Sequence, residues 1–335
     1  MLQVDPECSD RKQELRHYRY DTVNGKGEDI SILIGETVVI DDTIMSPLLT
    51  NPDKPWLNGT MLNTPSLNCL EQDDPRLVEA VRRRLVDHNK GEYNFTNAEE
   101  NIGGEVGQPL EVDRLVFGGE LKNGFFLEAG AWDFEEHSNT LHFELEHGWT
   151  GLLVEPHPLT FAEGMLKNRK TKNIQTCFST STRPQEVIFD IIGTIRNETH
   201  RESMGGITNE TRGEGEYIKM QCFPMYSVLL ALGNPTVHYF SLDVEGAEFP
   251  ILKTLPWDKV DIQALSVETH LCGRLFPGTR DELIEYMDSV GYYHVVEGHK
   301  GLKESRQAMG TKDDLFVRKD IKLKPSDTQQ GKDEL

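Results

Sequence analysis

Three stretches of the sequence gather acidic side chains beside glycine or proline, and each closes a run of apolar residues. The first is Glu128-Ala129-Gly130-Ala131-Trp132-Asp133, at the end of GFFLEAGA (124–131). Small residues there let the backbone approach a ligand closely, and a helix starting nearby offers amide hydrogens to it. A tight strand-to-helix turn needs the same residues. The second is Glu155-Pro156, within TGLLVEPHP (150–158). A carboxylate at that place can accept two hydrogen bonds from the hydroxyls of a ribose, as in other nucleotide-binding α/β folds. The third is Asp243-Val244-Glu245-Gly246-Ala247-Glu248. Its three carboxylates repel one another unless they serve a ligand, a cation or separate hydrogen bonds. Acids also favour helix N-termini, but Asp243 falls in the strand end rather than on the helix. His270 ends a predicted strand and is in reach of the same region. His137, His142 and His147 read as exposed, and no histidine pair has metal-ligand spacing, so no metal is assigned. A Ser-His-Asp hydrolase is disfavoured because no G-x-S-x-G elbow occurs.

The elements that must position these residues alternate regularly. Asp74-Pro75 opens a helix, a cap followed by proline at the first helical position. Leu77, Val78, Val81 and Leu85 form its apolar stripe. Residues 89–110 read as a loop. From residue 121 the pattern gives strands at 124–131, 150–158, near 173–178, at 187–192, over 217–223, within 237–248 as a strand running into an acidic turn, at 262–270, and at 292–296 and 315–317. Helices are predicted over 138–148, 159–168, 227–232, from Pro250, and over 279–290. In the last of these Thr279 and Glu282 form a capping box. That order implies a doubly wound α/β fold with a mostly parallel sheet, its last two strands antiparallel at one edge. The organisation expected is an irregular extension (1–72, with a possible strand at 32–40), a helix and linker adjunct (73–120), the α/β domain (121–318) and a charged, disordered tail (319–335). Residues 193–216 read as a mobile insertion.

Composition bounds the partners. The 335 residues carry 35 basic and 56 acidic side chains, a net charge of -21, which disfavours nucleic acid because phosphates are repelled. The basic clusters Arg82-Arg83-Arg84 and Lys167–Lys172 read as a solvated helix face and a solvated loop. No apolar run approaches the roughly 20 residues of a membrane helix, and Met1–Asp10 lacks the pattern of a signal peptide. Of the five cysteines, Cys177 and Cys222 sit in apolar stretches and are expected to be buried rather than reactive. One or two disulfides are possible in an oxidising compartment, and none is needed for folding. The chain ends in Lys332-Asp333-Glu334-Leu335, the KDEL retrieval signal in its required place. Sequons occur at Asn58, Asn94, Asn197 and Asn209. These features favour the endoplasmic reticulum lumen and a KDEL receptor as partner, although no entry signal is visible. Cytoplasmic residence with a coincidental tetrapeptide is the alternative.

Taken together, FLEAGAWD, LLVEPHP, YFSLDVEGAEFPILK, Gly291-Tyr292 and Asp314-Leu315-Phe316 resemble the FkbM family of S-adenosylmethionine-dependent methyltransferases, and within it the arthropod Star-like branch. GAWDFEEHSNTLHFELEHGWTGLLVEPHP and DPRLVEAVRRRL (74–85) carry the second likeness. The resemblance covers about residues 73–318. It implies a Rossmann-like class I methyltransferase fold with S-adenosylmethionine as cofactor. Glu128 and Gly130, with Ala131 and Asp133, would lie against the methionine part, and Glu155, Pro156 and His157 at the ribose and adenine end. Asp243 would face the methyl group, with Glu245 or Glu248 near the acceptor, where a carboxylate could remove a hydroxyl proton. Phe134 stands where relatives usually carry glycine, and a bulky side chain there is expected to block the methionine moiety or reshape the loop. His157 stands where an acid is common. Two functions follow: an O-methyltransferase of unknown acceptor, or a non-catalytic Star-like protein that routes secretory growth-factor cargo.

Overall fold

The computed structural model describes residues 17–23, 29–35, 67–87, 91–105, 107–190, 206–208, 217–295 and 313–324. The KDEL tetrapeptide, most of the 193–216 insertion and residues 36–40 of the possible early strand lie outside them. Strands β1 (His17–Val23) and β2 (Asp29–Gly35) pair as an antiparallel hairpin, so the N-terminal extension is not wholly irregular. Helix α1 (Pro75–Arg82) starts as its sequence dictates: the Asp74 carboxylate accepts the Arg76 amide at 2.9 Å, and Leu77, Val78 and Val81 are buried. Arg82, Arg83 and Arg84 are exposed, as read. The expected loop over 89–110 instead contains helices α2 (Ala98–Asn101) and α3 (Gln108–Val112), followed by a π-helical turn, Asp113–Phe117. Each helix is too short to show a period in the sequence.

The α/β domain then runs through β3 (Phe125–Ala129), α4 (Leu141–His147), β4 (Thr150–Val154), α5 (Pro158–Met165) and β5 (Lys172–Ile174). Next come β6 (Cys177–Phe178), β7 (Gln185–Asp190), β8 (Gly206–Thr208), β9 (Tyr217–Phe223) and α6 (Met225–Ala231). It closes with β10 (Val237–Leu242), α7 (Glu248–Thr254), β11 (Ile262–Glu268), α8 (Arg280–Ser289), β12 (Tyr292–His294) and β13 (Asp313–Arg318). The Thr279–Glu282 capping box is formed. Seven strands make the main sheet in the order β12-β13-β11-β10-β3-β4-β5. The five strands from β11 to β5 are parallel, and β13 runs antiparallel between β11 and β12. Both faces are covered, which is why these strands read as unbroken apolar runs. Leu127, Leu152, Phe240 and Leu265 point to one core with α1, α6, α7 and α8, and Phe126, Leu153, Tyr239 and Ala264 to the other with α4 and α5.

Two expectations need correction. The strand near 173–178 is two strands: β5 stays in the main sheet, whereas β6 turns away into a second sheet, β6-β9-β7-β8. The strands expected at 187–192 and 217–223 belong to that sheet as well. The tail is also ordered further than expected. Residues 319–324 return to the domain, where the Lys324 amide donates to the Leu115 carbonyl at 2.7 Å and Ile321 and Leu323 pack on the core.

Cys177 and Cys222 are register partners in the parallel pair β6·β9 and form a disulfide, Cα–Cα 4.5 Å. They are buried, as expected, but bonded to each other. Cys69 is also disulfide-bonded, and Cys272 is free. The Cys177–Cys222 bridge closes a loop of sequence separation 45. Replacing both by serine is expected to lower the unfolding free energy by roughly 2–4 kcal/mol, because the unfolded chain regains the closed-loop entropy. Urea unfolding of the oxidised protein and the double variant reads this directly, and coincident curves would contradict it.

Candidate functional site

Successive strands leave β3 in one direction, to β4 and β5, and resume on its other side at β10 and β11. The order therefore reverses between β3 and β10, and ligands of open α/β sheets bind beyond the carboxyl ends at such a point. Gly130 and Asp243 flank it. Gly130 has φ +84°, and a Cβ there would lie 1.8 Å from the Asp243 carbonyl oxygen. The Asp243 amide donates to the Ala129 carbonyl at 3.0 Å, and the amides of Gly130 and Ala131 both donate to Val154. The loop that follows is tight: Trp132, Phe134 and His137 all have positive φ. Asp133 Oδ1 accepts the amides of Glu135 and Glu136, and its other oxygen lies 3.3 Å from Lys167 Nζ.

Phe134 is fully buried, edge-on to Phe161 at 5.7 Å between centroids. Its ring fills the space above Gly164, where a Cβ would meet it at 2.5 Å. The side chain enters the core beneath α5.

Glu128 is buried and its acceptors are engaged by the loop after β3. Oε1 takes the Asn139 amide at 2.7 Å, and Oε2 takes the hydroxyls of Ser138 and Thr140. Residues 138–140 spend their hydrogen-bonding groups there, so α4 begins at Leu141 rather than at Ser138. Arg169 braces the same loop. Its fully buried guanidinium donates to Glu144, the Phe134 carbonyl, Ser138 and Thr140. The stretch 167–172 is thus no solvated loop: Lys167 pairs with Glu135 and Asp133, and Arg169 lies in the interior.

Glu155 ends β4 and is buried. Oε2 accepts the Trp132 amide at 2.9 Å, and Oε1 accepts the His157 amide at 2.8 Å and the Thr160 hydroxyl at 3.1 Å. A carboxylate has about four lone-pair sites, so one remains, on Oε2. Two ribose hydroxyls cannot both be accepted without displacing a protein donor. Burial pushes the carboxyl up to about 7, against those three hydrogen bonds. Pro156 is half-buried. His157 caps α5, its Nδ1 accepting the amides of Leu159 and Thr160.

The third cluster is denser than its sequence suggests. Asp243, Glu245 and Glu248 are joined by Glu268 at the end of β11, and one carboxylate oxygen each from Asp243, Glu248 and Glu268 lie within 4.8 Å of one another. Glu248 is fully buried; its Oε1 accepts the amides of Val244 and Gly246. Glu245 is half-buried with φ +61°. Burial, and then the neighbouring carboxylates, hold Asp243 and Glu268 far above the usual carboxylate range. His270 reaches this site as expected, its Nδ1 lying 2.8 Å from Glu268 Oε1.

A strap from residues 91–108 lies over this edge. The amides of Thr96 and Asn97 donate to Glu135, the Asn101 side chain accepts the His137 amide, and Gln108 donates to Asp313. Asn94, the one sequon within the described residues, donates from Nδ2 to the Leu166 carbonyl at 3.1 Å. A glycan on that nitrogen would compete with this bond.

Glu268 and Arg169 are the site residues that sequence reading missed. Glu268 sits two places before the histidine that was noticed, inside an apolar strand, and only the strand order brings it beside Asp243. Two histidines read as exposed are not. His142 and His147 both lie against Asp113 Oδ2, at 2.9 and 2.7 Å. Lys122 Nζ is 2.7 Å from His147 Nδ1. The ammonium can only donate, so Nδ1 accepts and Nε2 carries the hydrogen given to Asp113. That imidazole is a hydrogen-bond donor there, with no lone pair for a metal.

A parallel sheet with an antiparallel strand inserted next to its edge, and acids at the carboxyl ends beside the switch point, defines a Rossmann-like sheet of the class I methyltransferase kind. The model of the methyltransferase FkbM domain matches residues 119–293, more than half of the chain, and the protein belongs to that family. No curated protein and no solved structure matches the chain.

Proposed function

We propose that the protein is an S-adenosylmethionine-dependent O-methyltransferase acting on a hydroxyl-bearing acceptor. The observation that carries this reading is the convergence of Gly130, Glu155 and Asp243 at the switch point, within the residues that match the family. The donor set fits the cofactor in kind. Glu155 has one acceptor site left for a ribose hydroxyl, and an acidic edge suits a positive sulfonium. Gly130, Ala131 and Asp133 border the methionine end, with Glu128 holding their loop from beneath. Bound there, the cofactor supplies an electrophilic methyl group. Glu248 is buried with one oxygen tied to backbone amides, whereas Glu245 is half-exposed. Glu245 is therefore the carboxylate placed to receive the acceptor's proton, and Asp243 faces the methyl group.

Calorimetric titration with S-adenosylmethionine tests the reading. Binding is expected, and Glu155→Ala is expected to weaken it by about 10- to 100-fold, the contribution of a hydrogen bond to a charged group. Wild-type protein that takes up no cofactor at millimolar concentration would sink it.

One observation favours a second reading, the Star-like secretory protein that assists growth-factor cargo without catalysis. The Cys177–Cys222 disulfide fits an oxidising compartment, in accord with the C-terminal KDEL and its receptor. It predicts luminal protein that binds cargo and no cofactor. Protein found wholly in the cytoplasm with both thiols reduced would exclude it.

A further inference from the structure

The acids after β10 and β11 are too close to be explained by the helix and strand ends that carry them. One oxygen from each of Asp243, Glu248 and Glu268 fits within a sphere of coordination size, every pair within 4.8 Å. The three side chains come from three elements: the end of β10, the first turn of α7 and the end of β11. Among the described residues no lysine or arginine forms an ion pair with any of them. Among the described residues the one basic partner is the exposed His270, on Oε1 of Glu268. Asp313 adds its charge from the start of β13, opposite Glu268 in the register.

A second, independent observation points to a ligand. Glu248 is fully buried, and Glu268 is nine-tenths buried. Glu248 gives Oε1 to the Val244 and Gly246 amides, and its Oε2 is buried with no hydrogen-bond partner. Glu268 gives Oε1 to His270, its carboxyl also lies within hydrogen-bond reach of that of Asp243, and no ordinary donor reaches its buried Oε2. A buried carboxylate oxygen left without a donor is costly. Glu248 Oε2 has neither a donor nor a shared proton, and a cation held by the three carboxylates satisfies it while taking the place of the proton that Asp243 and Glu268 share.

We propose that Asp243, Glu248 and Glu268 form a binding site for a divalent cation that prefers oxygen donors: Ca²⁺, Mg²⁺ or Mn²⁺. All-carboxylate ligation selects hard cations over zinc or copper, which favour nitrogen and sulfur. Each of Glu248, Glu268 and Asp243, the last half-buried at the strand end, would offer one carboxylate oxygen to the ion. Water and any acceptor hydroxyl would complete the coordination. The site shares Asp243 with the proposed cofactor site, but its titration is made without S-adenosylmethionine, so the two readings fail separately.

The test is calorimetric titration of chelator-treated full-length protein with CaCl₂, MgCl₂ and MnCl₂ in turn, without cofactor. Because the chain carries a net charge of -21, diffuse cation uptake must be separated from a site. Glu268→Gln keeps the shape and removes one charge, and Glu99→Gln with Glu100→Gln removes charge from an exposed helix. One saturable site is expected for at least one of the three ions. Its affinity should fall by at least about tenfold in Glu268→Gln, because affinity follows the charge count of the ligands. It should be unchanged in the Glu99/Glu100 variant. Should Glu268→Gln fail to fold, Asp243→Asn carries the same comparison. No saturable binding of any ion up to about 10 mM, beyond the range of weak calcium modules, would overturn the proposal. So would equal binding in the variants.

Discussion

Arg169→Met is expected to destabilise the protein by about 3–5 kcal/mol, the cost of removing one partner from a buried ion pair. The side chain is wholly interior and ties Glu144 to three residues of the loop after β3. Nε donates to Glu144, Nη1 to the Phe134 carbonyl at 2.8 Å and Ser138 at 3.0 Å, and Nη2 to Thr140 at 3.0 Å. Its positive charge also favours the ionised form of Glu128, opposing the burial that raises that carboxyl. Methionine fills the volume but leaves Glu144 and Glu128 buried without their cation. Lysine restores the charge but not the planar fork, so Arg169→Lys should recover less than half of the loss. Denaturant unfolding of the three proteins measures this. A loss under about 1 kcal/mol would place the residue with ordinary surface pairs.

Gly130→Ala is expected to cost about 3–5 kcal/mol, from left-handed backbone strain and from overpacking together. The added methyl would sit 1.8 Å from the Asp243 carbonyl oxygen. That oxygen cannot retreat easily, since the Asp243 amide is bonded to Ala129 and β3 and β10 are paired to their ends. Relief requires the two strands to part at the switch point. Cofactor and cation binding should both weaken in any Gly130→Ala protein that folds. A variant with wild-type stability by thermal unfolding would show that the loop has another conformation available.

The parallel core of the fold was legible because strands buried on both faces write apolar runs and each carries its helix behind it. The side sheet was not. β6 is two residues long and β7 and β9 read like any other strand, so nothing in Cys177-Phe178 says that the chain has left the main sheet. The acids at 128, 155, 243, 245 and 248 were found because they follow such runs. Their duties were harder to read. Glu128 and Glu155 are largely occupied by their own loops, since the partners Ser138, Thr140, Trp132 and Thr160 are ordinary residues in the sequence. Arg169 was hidden by its neighbours: between two lysines it looks solvated, and only Glu144 and the Phe134 turn draw it inward. Phe134 is accommodated in the interior because Gly164 provides the room that the ring takes.

The position of β13 bears on how the chain must assemble. Residues 313–318 form an interior strand, between β11 and β12, though they come last among the strands. Among the described residues β12 pairs with no other strand of the sheet. During synthesis β11 therefore waits with an open edge, and β12 is held only by Tyr292, on the Ile262 carbonyl and Trp257, until residue 318 has emerged. Such an exposed strand edge invites wrong pairing in partly made chains. A nascent chain halted before residue 313 should be held by chaperones and cleaved readily, and the domain should become protease-resistant in one step once β13 is available.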